Sequence, residues 1–192
     1  MTKKVLIFLA EGFEEVEAIT PIDYLRRAGI DVITAALGAS LNVEGSHQIK
    51  ISADTCIKDL LSSSGLKPEH WDAVILPGGL PGSDNLAAYI ELGAFLKAMA
   101  EAGKMVCAIC AAPARVLYPL GLLDGKKFSC FPGEDLKVLS GKRTEDRVTI
   151  DGNIITSRGA GTAGEFACAI ISALIGEGEG EKIAERVLLM QN

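Results

Sequence analysis

A cysteine at a sharp bend is the residue of this chain best placed for chemistry. The run at residues 105–109, MVCAI, is rich in strand-forming residues and leads directly into Cys110. Small residues and a helix-compatible segment follow, and Pro113 suits the first turn of a helix. This order predicts a nucleophile elbow, in which a strand, a sharp turn and a helix expose one side chain. The helix start is expected to favour thiolate, the reactive form of cysteine.

The other cysteines fit a simpler interpretation, because free cysteine is often a small buried hydrophobe. Cys56, Cys107 and Cys168 lie in apolar or regularly patterned segments. Cys107-x-x-Cys110 is similar to a redox dithiol, but Cys107 lies within the predicted strand, so we expect no local disulfide. Cys130 is a better candidate for a resolving thiol, although we do not favour that role. The five cysteines have no regular spacing, which fits reduced thiols.

Composition argues against several function classes. The chain has 192 residues and a net charge of −6, which argues against a nucleic-acid-binding surface. Residues 5–10 form an apolar run too short for a signal peptide, and no run is long enough to cross a membrane. No group of residues has metal-ligand spacing. We therefore expect one cytoplasmic domain over residues 1–192, with no cofactor, metal, nucleic acid or membrane partner.

Strand and helix patterns alternate along the chain and predict an α/β fold with a mostly parallel sheet covered on both faces. The predicted strands are apolar segments at residues 4–10, 30–36, 71–76, 105–109 and 128–131. Sites in such folds form beyond the carboxyl ends of the strands. Three segments are therefore expected to meet there, namely residues 11–17, residues 77–82 and Cys110.

Helical patterns mark four further segments. These helices are predicted at residues 14–28, 85–102 and 166–175, and in a C-terminal segment ending near Met190. Pro21 is expected to kink or break the first helix, and an interruption is expected near Gly93 in the second. Thr162 and Glu165 have capping-box spacing ahead of the third.

Two segments have the pattern of hairpins. Residues 41–53 alternate and contain Gly45, which predicts a hairpin-like excursion. Residues 147–156 alternate around Asp151-Gly152, a strong short-range hairpin signal. The chain shows no internal repeat and no second core.

Five short motifs in order along the chain resemble the DJ-1/PfpI family, also called ThiJ/PfpI, of the class I glutamine amidotransferase-like superfamily. They are residues 10–17 (AEGFEEVE), 25–30 (LRRAGI), 76–79 (LPGG), 108–113 (AICAAP) and 156–162 (TSRGAGT). Each motif alone is weak, but together they span essentially the whole chain, and the elbow is similar to that of the DJ-1 branch. The resemblance implies a flavodoxin-like three-layer α/β/α sandwich with a nucleophile elbow, and a homodimer.

The resemblance also implies site residues. It assigns Cys110 as nucleophile and oxidisable thiol, and Glu17 as the carboxylic acid that hydrogen-bonds the sulfur. The backbone N–H groups of Gly79 and Ala111 are implied to face a bound oxyanion. A carboxyl beside a thiolate in a dry cleft resists ionisation, so protonated Glu17 can donate to sulfur and later to substrate. Without the resemblance, Glu17 is interpreted as an ordinary solvated acid and the glycine pair as a tight turn.

The chain departs from the family pattern at its histidines. Ala111 follows Cys110, where the protease-like branch has histidine, and Phe131 lies where DJ-1-type proteins often have one. The only histidines, His47 and His70, are interpreted as ordinary surface residues. Peptidase and amidotransferase activities therefore lack a general base, and chemistry is expected to depend on a cysteine–glutamate pair without a close histidine.

The sequence leaves two candidate functions open. The resemblance implies an enzyme acting on small reactive carbonyls, by glyoxalase III-like conversion of methylglyoxal to lactate or by protein or nucleotide deglycation. The alternative is a non-enzymatic stress sensor or chaperone-like protein, in which peroxide oxidises Cys110 to sulfinate. Arg27 and Arg158 lie in matched motifs, and we expect solvated or structural pairing for both rather than catalysis.

Overall fold

Seven strands form the central sheet in a computed structural model, which describes residues 2–189. In spatial order they are β10 (Val148–Asp151), β11 (Ile154–Ser157), β7 (Met105–Ile109), β6 (Ala73–Leu76), β1 (Lys4–Leu9), β2 (Asp31–Ala36) and β5 (Thr55–Cys56). Neighbouring strands are parallel except β10, which runs antiparallel to β11. The predicted α/β fold with a mostly parallel sheet is confirmed.

Helices cover both faces of the sheet, because successive side chains of each buried strand point to opposite faces. In β1, Val5, Ile7 and Leu9 pack into one apolar cluster, whereas Leu6 and Phe8 pack into the other. The first face is covered by α1 (Glu15–Arg27), α5 (Ala163–Ile175) and α6 (Glu179–Arg186). The second is covered by α2 (Ile57–Ser62), α3 (Gly82–Ala87) and α4 (Ile90–Glu101). This is the three-layer α/β/α sandwich that the resemblance implied.

Both predicted hairpins are present. Strands β3 (Asn42–Glu44) and β4 (Lys50–Ser52) pair antiparallel outside the main sheet, and β10 turns into β11 with Asp151 opposite Ile154. The strand predicted at residues 128–131 is wrong in length, since β8 (Lys127–Phe128) pairs with β9 (Lys142–Arg143) and then ends. Beyond it, the Ser129 N–H donates to Thr156 Oγ1 at 2.9 Å, so a side-chain bond replaces the strand ladder.

Several predicted helix details are corrected. Helix α1 continues through Pro21 without a break. The interruption expected near Gly93 lies instead at Tyr89, which has an extended backbone between α3 and α4. Gly93 lies inside α4, where a Cβ would approach Leu120 Cδ2 to 3.2 Å, so its role is close packing.

The predicted capping box is also wrong. Thr162 precedes α5 but makes no side-chain cap, because its hydroxyl bonds the Gly159 backbone and the Ser157 hydroxyl. Glu165 instead pairs with Arg147. The last helix, α6, ends at Arg186, and Met190 lies outside the described residues.

The ends of the parallel strands place the candidate site. Strand β7 ends beside β6 with Ala108 opposite Leu76, and beside β11 with Ile109 opposite Ser157. Strand β1 lies on the other side of β6. The segments after β1, β6, β7 and β11 therefore leave the sheet along one edge, where the three predicted segments meet.

Candidate active site

Cys110 lies at a strained bend directly after β7. Its φ is 64°, in the left-handed region that costs a residue with a Cβ about 1–2 kcal/mol. Its N–H donates to the Ser157 carbonyl at 3.0 Å, and its own carbonyl accepts from the Phe131 N–H at 2.8 Å. Neighbouring segments thus hold the bend on both sides, and the predicted elbow geometry is confirmed.

The helix expected after the bend is different in kind. Pro113–Leu117 forms a π-helical turn, and Tyr118–Leu120 continues as a 3-10 turn. Pro113 does occupy the first turn, as predicted.

Glu17 lies in the first turn of α1 and is the buried partner of Cys110. The residue is 1% exposed, and its carboxyl lies beside the Cys110 side chain, whose thiol interacts with it. Its Oε2 accepts from the Gly78 N–H at 2.8 Å. Helix α1 presents Glu17 here because Glu14 caps the helix, accepting the Glu17 N–H at 2.7 Å.

Gly78 is required by the close approach of this pair. A Cβ at Gly78 would lie 2.5 Å from the Cys110 Cβ and 2.5 Å from Glu17 Oε2. Gly79 has a φ of 88°, and its side-chain position is filled by the backbone of residues 12–14. The glycine pair therefore lets β6 end directly against the thiol and the carboxyl.

Burial sets the protonation of the pair. Desolvation, reinforced by the nearby Glu14 charge, raises the pKa of Glu17 to about 7, against the lowering effect of its hydrogen bonds. Burial and the Glu17 carboxyl also raise the pKa of the Cys110 thiol, whereas the N–H groups of Gly79 and Ala111 lower it. The expected bias towards thiolate is therefore not met, chiefly because the thiol is buried.

A cleft of about 320 Å³ opens above the sulfur. Its floor contains Cys110, Gly79 and Ala111, so the thiol and two backbone N–H groups share one space. The rest of the lining combines apolar, acidic and neutral polar or imidazole side chains, namely Leu80 and Phe131, Glu14 and Glu134, and Ser46 and His47. Phe131 lies in this lining and is half exposed. It is the residue that the sequence comparison placed where DJ-1-type proteins often have histidine.

His47 is exposed, as interpreted from the sequence, but it also borders the candidate site. The β3–β4 hairpin carries His47 to the same cleft as Cys110. Its Nδ1 lies 2.8 Å from Oε2 of Glu15, a residue that is 2% exposed. His70 is also exposed and lines a separate groove with Asp72. The sequence signal was present in the hairpin pattern, but nothing local predicted where the hairpin packs.

The structure also brings together possible metal ligands that sequence spacing did not reveal. Ligand atoms of Glu14, Glu15 and His47 all lie within 4.8 Å of one another. Carboxylate and imidazole ligands suit Zn²⁺ and other divalent cations.

The other residues singled out from the sequence lie in the apolar core or form ion pairs. Cys107 is fully buried in β7, and burial raises the pKa of its thiol. Cys130 is 1% exposed and packs in the apolar cluster on the opposite face from the one that Cys110 contacts, which does not suit a resolving thiol. Arg27 pairs with Asp23 at 2.7 Å, and Arg158 with Glu145 at 3.3 Å, as expected for structural ion pairs.

Comparison with known proteins agrees with this fold. A model of the DJ-1/PfpI family matches residues 3–173. The chain is 36% identical to the Glutathione-independent glyoxalase DJR-1.2 of Caenorhabditis elegans, covering 91% of this chain and 90% of that protein. The crystal structure of Drosophila melanogaster DJ-1beta superposes with a TM-score of 0.91 at 37% identity, over 100% of both chains.

A longer relative is also similar. Protein DJ-1 homolog B of Arabidopsis thaliana is 42% identical over 98% of this chain, which spans only 42% of that relative's length. The family match and these identities show that this chain belongs to the DJ-1/PfpI family. Within residues 2–189, no helix is long and apolar enough to cross a membrane.

Proposed function

We propose that this protein is a cysteine-dependent enzyme that converts small 2-oxoaldehydes such as methylglyoxal to the hydroxy acid, here lactate, without glutathione. The observation that carries the proposal is the placement of the buried Glu17 carboxyl beside the Cys110 thiol, which lines an open cleft. The relative in Caenorhabditis elegans named as a glutathione-independent glyoxalase supports the same activity class.

The first step is addition of sulfur to the aldehyde. The Cys110 sulfur forms a bond to the aldehyde carbon, and the thiol proton passes through Glu17 to the former carbonyl oxygen. The product is a hemithioacetal, and Glu17 is left as a carboxylate. During the addition, negative charge develops on oxygen, and the N–H groups of Gly79 and Ala111 are the donors proposed to stabilise it.

The second step moves hydrogen between adjacent carbon atoms. Carboxylate Glu17 removes the proton from the sulfur-bearing carbon and returns it to the neighbouring carbon. The hydroxyl proton on the first carbon passes to the oxygen of the second, which converts the hemithioacetal to a lactoyl thioester. Water then cleaves the thioester, releasing lactate and restoring the thiol. A pKa near 7 suits Glu17 to both roles, because a group that titrates near the working pH can accept and donate protons.

The test compares methylglyoxal consumption and lactate formation by wild type, Cys110→Ala and Cys168→Ala without added thiol. Cys168 is the matched control because it is also partly exposed. We expect turnover in wild type and Cys168→Ala, and none above background in Cys110→Ala. Equal turnover by Cys110→Ala would contradict the proposal. A folded, inactive wild type whose Cys110 is oxidised by peroxide before Cys168 would favour the sensor function instead.

We also propose a cytoplasmic homodimer. Val16 and Ile19 on α1 and Ile49 beside the hairpin expose 49%, 43% and 52% of their surface. The Ile49 N–H lies 3.4 Å from Glu15 Oε1, so these apolar residues lie on adjoining elements. Light scattering after size exclusion should give twice the chain mass, with Ile19→Glu shifting the mass towards one chain. A wild-type mass of one chain would contradict the dimer.

A further inference from the structure

The turn between β3 and β4 is built around the Glu15 carboxyl. Glu15 Oε1 accepts the His47 N–H at 2.7 Å, and its side chain is 3% exposed. The position of a Cβ at Gly45 is filled by the same carboxyl, so the turn closes on Glu15 without a side chain at that point. The hairpin is thus fixed to α1, the helix that carries Glu17.

The same carboxyl orients the imidazole of His47. Glu15 Oε2 lies 2.8 Å from Nδ1, and the Ser46 hydroxyl lies 3.1 Å from it. Because Glu15 occupies Nδ1, Nε2 is the nitrogen available to a molecule in the cleft. A carboxylate that holds one imidazole nitrogen fixes the orientation of the ring and stabilises the imidazolium form.

We propose that His47 is a further catalytic residue, which exchanges protons with the substrate oxygens while Glu17 moves the proton between the carbons. This inference rests on the proposed function and deepens it. His47 and Cys110 both line the cleft, so a 2-oxoaldehyde bound through sulfur shares that space with the imidazole. The acid and base of the isomerisation are then two separate groups, His47 and Glu17.

The protons balance over the two halves of the isomerisation. In the first half, carboxylate Glu17 removes the C1 proton while imidazolium His47 protonates the C2 oxygen, giving an enediol. In the second half, Glu17 returns its proton to C2 while neutral His47 accepts the C1 hydroxyl proton. The products are the lactoyl thioester, the Glu17 carboxylate and the His47 imidazolium, so both groups are ready for the next cycle.

The experiment measures methylglyoxal turnover by wild type, His47→Gln and His70→Gln, with EDTA present to remove any metal ion. His70 is the matched control because it lies in a different groove. We expect kcat of His47→Gln to fall by about 100-fold or more, as for loss of a general acid, and that of His70→Gln to stay within about twofold. Iodoacetamide should alkylate Cys110 of His47→Gln as fast as that of wild type.

A further readout separates catalysis from a structural role. Added imidazole should restore part of the turnover of His47→Ala. An active wild type with turnover retained in His47→Gln, or a slow His47→Ala without imidazole rescue, overturns the role of His47 alone. A wild type without turnover overturns the proposed function and this inference together.

Discussion

The two ends of the central sheet carry ionisable residues around clefts of similar size, about 350 Å³ at the amino end and about 320 Å³ at the carboxyl end. At the amino end, Asp72 accepts the Lys4 N–H at 2.9 Å and pairs with Lys3 at 3.3 Å and Lys104 at 3.8 Å. At the carboxyl end, buried Glu17 has backbone N–H groups and a thiol as partners.

These surroundings shift the pKa values of the Asp72 and Glu17 carboxyls in opposite directions. Burial opposes ionisation of Asp72, but its hydrogen bonds to Lys4 and Lys3 outweigh burial and lower its pKa. For Glu17 burial prevails, and the pKa rises to about 7. The comparison teaches that a carboxyl with nearby ammonium groups is held as a structural anion, whereas one without them can exchange protons near neutral pH.

The largest expected effect that tests this difference is loss of turnover in Glu17→Gln. The amide keeps the shape of the side chain but cannot accept a proton, so kcat should fall by roughly 10²- to 10⁴-fold. Methylglyoxal assays of Glu17→Gln, with Asp72→Asn as the matched amide substitution at the other end, measure the effect. Asp72→Asn is expected to keep wild-type turnover.

The same variants also show whether the thiol site survives. Iodoacetamide should still alkylate Cys110 in Glu17→Gln, since the elbow is held by the Ser157 and Phe131 backbone. Full turnover by Glu17→Gln would rule out its role in proton transfer. A comparable loss of kcat in Asp72→Asn would mean that the two ends do not differ as proposed.

Local sequence signals were sufficient for the elbow and most strands. The apolar run before Cys110 and Pro113 after it are adjacent in the chain, so the bend could be predicted from neighbouring residues. The position of the site followed from the rule that parallel strands end at one edge. The pairing of Glu17 with Cys110 came from the family resemblance, because the N–H that binds Glu17 lies 61 residues away, at Gly78.

Features that depend on tertiary packing could not be predicted. His47 and Glu15 are 32 residues apart, and only the docking of the hairpin on α1 brings them together. The capping box failed for a different reason, since the Thr162 hydroxyl bonds a turn and a strand end, three and five residues away, in place of its helix. There one local contact replaced another that the spacing favoured.

The smaller expected effect is an opposite pH dependence of stability at the two ends. The pKa of Glu17 rises from 4.5 to about 7 on folding, so its stabilising contribution is full below pH 4.5 and is lost as the pH rises through 7. At 1.36 kcal/mol per pKa unit, this loss is on the order of 3 kcal/mol. Asp72 has a lowered pKa, so its contribution is present at neutral pH and is lost on acidification.

Denaturant unfolding between pH 3 and pH 8 measures both contributions. Relative to wild type, Glu17→Gln should gain stability towards high pH, and Asp72→Asn should lose stability there. Parallel curves for the two variants would contradict the opposite shifts and the contrast between the two ends.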